Sequence, residues 1–107
     1  QGNVSLCQQE IRDIKRFAKG QCSLHSALAA LQRWLPGALI DDKHEIRDNE
    51  AKLIILRILQ HHNWPHCCEV LGISGKQHAQ QILQQTVSVL AHQLPDPDVS
   101  MEGLTRR

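Results

Sequence analysis

The side chains in this sequence best equipped for chemistry gather in one stretch, His61, His62, His66, Cys67 and Cys68, with Cys22 and His78 elsewhere in the chain. Imidazole and thiolate are the usual ligands of zinc. Zinc sites, however, are built from spaced pairs such as C-x-x-C with a loop between them, and no such pair exists here. His66 directly precedes Cys67, which suggests a base beside a nucleophile. Adjacent helical residues point about 100° apart, so sequence neighbours on a helix do not form a catalytic pair. Asp41 with Asp42, and Glu45 with Asp48 and Glu50, resemble acid/base carboxylates. They fit better as charges at a helix start, where they favour the helix dipole. The expectation is a non-enzymatic protein with no metal and no cofactor.

The elements that must hold these residues follow from composition and pattern. The 107 residues are 41% hydrophobic and 21% charged, the balance of one globular domain. Only Phe17, Trp34 and Trp64 are aromatic, so the core is built from Leu, Ile, Val and Ala, a palette that favours helices. Trp34 and Trp64 stand at helix edges and are expected to act as core lids. The formal net charge of +1 gives no global pull toward phosphate or anionic lipid. No stretch approaches the roughly 18 apolar residues of a membrane span, and the start of the chain lacks the layout of a signal peptide, so a cytoplasmic location without membrane contact is expected. The four cysteines, Cys7, Cys22, Cys67 and Cys68, have no disulfide-framework spacing and are expected as reduced thiols.

Helical spacing of Cys7, Ile11, Ile14 and Ala18 predicts a first helix over 5–19, ended by Gly20. Ser23 caps a second, whose buried face carries Leu24, Leu28, Leu31 and Leu35, with Ala27 and Ala30 permitting close approach. Pro36 and Gly37 are expected to stop it. Residues 38–43 then read as a loop, with Asp41 or Asp42 capping a third helix over 44–61. Its apolar residues, Ile46, Leu53, Ile54, Ile55, Leu56, Ile58 and Leu59, are too many for one stripe, which predicts the most buried, central helix. A short helix over 65–71 ends at Gly72. Ser74 caps a last long helix reaching about Gln93, with Ala79, Ile82, Leu83, Val87 and Leu90 inward, until Pro95 and Pro97. The predicted fold is an all-α bundle of four to five helices over 5–94. Residues 1–4 are expected to be disordered or an expression remnant, and 95–107 a flexible tail.

One segment rises above this background. From Asn63 to Ser74 the spacing is that of two helices meeting at a glycine turn, with Gly72 where a left-handed backbone excludes Cβ. Small residues at Cys67 and Cys68 let the short helix lie close to its neighbour, and Leu71 and Ile73 plug the angle. This segment resembles the Fis-type helix-turn-helix, found in the bacterial nucleoid protein Fis and in nitrogen-regulator-like activators, whose pattern is close to N-x-x-x-A-A-x-x-L-G-I-S. Asn63, Leu71, Gly72, Ile73 and Ser74 match directly. Cys67 and Cys68 stand at the two alanines, and the preceding run with Leu53, Ile54, Leu56, Ile58 and Leu59 is similar to the family's first helix. The resemblance covers about residues 50–84.

The resemblance implies a DNA-associated transcriptional regulator, acting on double-stranded DNA as a homodimer. Ser74, Lys76 and His78 would then meet phosphate, and Gln77, Gln80, Gln81 and Gln84 base edges. Between Gly75 and Gln85 only Lys76 carries a fixed positive charge, whereas the family's recognition helix is rich in Arg and Lys. The last helix also runs on past the place where a family member normally ends. The alternative is a helical adaptor or dimerisation module that binds another protein and not DNA. Salt-dependent DNA affinity lost in Lys76→Glu separates the two.

Overall fold

The computed structural model describes residues 6–43 and 45–95. The expectations for residues 1–4 and for the tail beyond Pro95 lie outside the described residues. Among the described residues five helices form the bundle: α1 (Gln8–Ala18), α2 (Leu24–Asp41), α3 (Asp48–Ile54), α4 (Trp64–Leu71) and α5 (Lys76–Ala91), with α3 continuing into a π-helical turn over Ile55–Leu59. The fold is all-helical, as composition and periodicity predict.

Helix α1 starts at Cys7, where the Glu10 carboxylate accepts the Cys7 backbone N–H at 3.0 Å. It buries Ile11, Ile14 and Phe17. Ser23 caps α2 as expected, accepting from the Ser26 backbone N–H at 3.2 Å. The expected stop at Pro36 and Gly37 is overturned, because α2 runs through both to Asp41. Pro36 has no N–H to give to the carbonyl one turn back, a loss of about 3 kcal/mol in a helix interior. Trp34, Leu35, Gly37 and Ala38 are buried around it, and packing on both sides of the proline holds the helix together. The inward face is rotated from the leucine stripe, since Ala27, Ala30, Leu31, Trp34, Leu35 and Ala38 are buried while Leu24 and Leu28 are half-buried.

The cap of α3 differs too. Asp41 is still inside α2, and the Asp42 carboxylate accepts the Glu45 N–H at 3.1 Å within the connecting loop. Helix α3 instead begins after Arg47, whose N–H is bound by Glu50 at 2.8 Å, with Asp48 and Glu50 in its first turn. Residues 45–47 are therefore outside the helix that the sequence predicts there, and residue 44 lies outside the described residues. Leu53, Ile54 and Ile58 are fully buried, but Ile46, Ile55, Leu56 and Leu59 are only half-buried. The central place falls to α5, which packs against α1, α3 and α4 and buries Ala79, Leu83, Thr86, Val87, Leu90 and Ala91. Both tryptophans close the core as lids, each 8% exposed.

Polar bonds fix the helices against one another. Lys15 donates to the Ala91 carbonyl at 2.9 Å, placing a cation at the negative end of α5. Gln32 on α2 donates to the Ile58 carbonyl at 3.1 Å, satisfying a group that the helix end leaves open. The π turn closes through the Gln60 N–H to Ile55 at 2.8 Å, and His61 then takes a positive φ of 63° to leave it.

Candidate functional site

The corner between α4 and α5 is built from local rules. Asn63 caps α4, its Oδ1 accepting the His66 N–H at 3.0 Å, and Pro65 sits in the first turn where a missing N–H costs nothing. Gly72 closes α4 in the left-handed region, φ 69° and ψ 33°. The Ile73 N–H reaches back to the Cys68 carbonyl at 2.9 Å, which completes a left-handed C-cap. Ser74 does not cap α5 as expected. The helix begins one residue later, after Gly75, and the Ser74 hydroxyl lies 3.2 Å from Nδ1 of His78. Gly75 is in extended backbone, so the turn residue that needs glycine is Gly72 alone.

The paired cysteines divide by face. Cys67 is buried, its thiol directed at the His62 carbonyl at 3.8 Å, while Cys68 is half-buried. Burial pushes the Cys67 thiol above its usual 9.0, against an opposing pull from Arg57, so it stays protonated. Cys22 is raised by burial as well, with Arg16 opposing. Cys67 packs within the core and Cys22 against it. The His62 and His66 rings meet with centroids 4.4 Å apart. Among the described residues, no three His, Cys, Asp or Glu side chains come together as a metal-holding group.

The residues singled out on α5 and just before it fall into two groups. Ser74, Lys76, Gln77, His78, Gln80 and Gln81 are exposed. Gln84 is half-buried, and its amide donates to the Ala18 carbonyl at 3.3 Å, so it ties α5 to the end of α1. Gln80 and Gln84 also line a cavity of about 240 Å³ with Phe17, Trp64 and Leu83. Of the turn residues, Leu71 and Ile73 are half-buried and pack on the core beside Cys68.

Two features were not visible in the sequence. Arg47 and Asn49, from the start of α3, share a cleft with Gly72, Ile73 and His78 of the corner. No sequence pattern joins residues 47 and 78, and only the packing of α3 on α5 does so. On another face, Lys52, Ile55, Leu56, Gln60 and Val70 line a shallow, open groove of about 300 Å³, walled mainly by apolar side chains. Val70 is 54% exposed there. A faint signal existed, because Val70 falls outside the inward stripe of α4 and the third helix has more apolar residues than one face can bury.

The chain is thus a small all-helical bundle with a glycine-turned corner and an apolar groove beside it. It matches no family model, no curated protein and no solved structure.

Proposed function

We propose that this chain is a non-catalytic binding module that docks protein partners through the groove between the π turn and α4. The observation that carries this reading is Val70, more than half exposed and set against Ile55 and Leu56. Scattered single apolar residues are ordinary on a surface, but here an exposed valine adjoins two half-buried aliphatic side chains, and we read the three together as a small docking surface. Lys52 and Gln60 supply the polar groups that line it. The small net charge and the single lysine on α5 also favour a protein partner over a polyphosphate one.

A second reading is association with double-stranded DNA, with transcriptional regulation as its outcome and a two-fold dimer as its form, as the helix-turn-helix resemblance implies. It is favoured by the left-handed bend at Gly72, by exposed Lys76, Gln77, His78, Gln80 and Gln81, and by Arg47 across the cleft. One titration separates the two. Anisotropy of a labelled duplex is followed from low to physiological salt with the wild-type chain and with Lys76→Glu. The docking reading expects weak binding that the substitution barely alters. Affinity that falls steeply with salt and collapses in Lys76→Glu would overturn it in favour of DNA.

A further inference from the structure

We infer that the groove of one copy receives the end of α2 from a second copy, joining chains head to tail. This rests on the protein-docking reading above and names the partner as this same chain. Among the described residues two large hydrophobics are exposed, Val70 at 54% and Ile40 at 73%. Val70 belongs to the groove, whereas Ile40 does not line it. Ile40 lies one residue before the end of α2, and Pro36, four residues earlier and also exposed, stands on the same side of the helix. The two form an apolar ridge.

Ridge and groove are both apolar, and one acid at the edge of the ridge can meet one base at the edge of the groove. Asp41 is exposed directly beside Ile40, and exposed Lys52 borders the groove. Seating Ile40 against Ile55, Leu56 and Val70 lets Asp41 approach Lys52, which favours that direction of approach. The two surfaces differ, so each copy in a pair keeps one unused ridge and one unused groove. Such a heterologous contact propagates into a ring or an open filament and does not stop at a two-fold dimer. The ridge is small, and association is therefore weak and concentration-dependent.

Sedimentation velocity of the 107-residue chain over a wide concentration range tests this, with Ile40→Glu, Val70→Glu and their equimolar mixture. Wild type is expected to grow in mass past the dimer, and each single variant to remain monomeric. The mixture is expected to form a heterodimer and go no further, because the intact ridge of Val70→Glu fits the intact groove of Ile40→Glu and nothing else remains. Both positions are exposed, and unchanged helical circular dichroism confirms folding; Ile40→Ser and Val70→Ser replace any variant that fails this check. A wild-type chain that stays monomeric, a mass that stops at the dimer, single variants that still associate, or a mixture that stays monomeric or grows without limit would each overturn the inference. None of these outcomes touches the broader docking reading, which stands or falls on the DNA titration.

Discussion

The guanidinium of Arg57 lies over the ring of Trp64, 4.9 Å from its centroid, linking the π turn to the first residue of α4. Its Nε is buried with no hydrogen-bond partner among the described residues, so the contact offsets part of a desolvation cost. Cation–π contacts contribute about 0.5–2 kcal/mol. Arg57→Ala removes the contact and the aliphatic stem over a buried tryptophan, and is expected to cost about 1–2 kcal/mol in urea unfolding. Arg57→Met keeps the stem and drops the buried nitrogen, and is expected to cost less than Ala. Equal losses in the two would show that the charge, and not the stem, fixes α4.

Two glycines three residues apart are expected to respond in opposite ways. Gly72 has open space where a Cβ would go, so Gly72→Ala tests backbone strain alone. At φ 69° the expected cost is about 1–2 kcal/mol. Gly75 is extended, equally uncrowded, and precedes α5 without a capping side chain. Gly75→Ser supplies that cap and lowers unfolded-chain entropy, for an expected gain of about 0.5–1 kcal/mol. Thermal unfolding of the two variants reads both signs.

Glu10 gives stability a dependence on acid. The Cys7 backbone N–H holds its carboxyl below the usual 4.5, partial burial opposes this, and Arg33, whose guanidinium is 2.9 Å away, adds to the lowering. A carboxyl with a depressed folded value stabilises the fold above its unfolded value and loses that contribution as pH falls through the folded one. Glu10→Gln can still accept the Cys7 N–H but cannot titrate. The melting temperature of wild type is expected to exceed that of Glu10→Gln near neutral pH, and the gap to close as pH drops below about 4.5. A gap that is constant across this range would mean that the carboxylate charge is irrelevant.

The cysteines are expected to separate by accessibility. In the folded chain an alkylating reagent should modify exposed Cys7 first and leave buried Cys67 untouched until denaturant is added. Cys67→Ala is expected to cost about 1 kcal/mol, since alanine fills the same close approach. Cys67→Leu overpacks the seam between α4 and its neighbours and is expected to cost about 1–3 kcal/mol. Mass spectrometry of the labelled chain, with unfolding curves of the two variants, checks both halves.

What could be read from residues alone was whatever local chemistry dictates. The Ser23 cap, the inward Ile11 and Ile14 of α1, the division of the chain into four to five helices, and the left-handed turn at Gly72 each depend on residues within a few positions of one another. A side-chain oxygen reaching a free N–H, or a Cβ that must be missing, leaves its mark in the adjacent sequence. Tertiary packing decided the rest. Pro36 is a helix stop by every local rule, but burial of Trp34, Leu35 and Ala38 on either side outweighs one missing hydrogen bond. Gln84 has the same polarity as Gln80 and Gln81, and only the approach of α1 turns it from a surface amide into a tie to Ala18. The groove around Val70 joins residues from positions 52 to 70, and the contact of Arg47 with the corner cleft spans still more chain. Those juxtapositions depend on how helices cross, and crossing geometry is set by the summed fit of many side chains, which no single stretch of sequence contains.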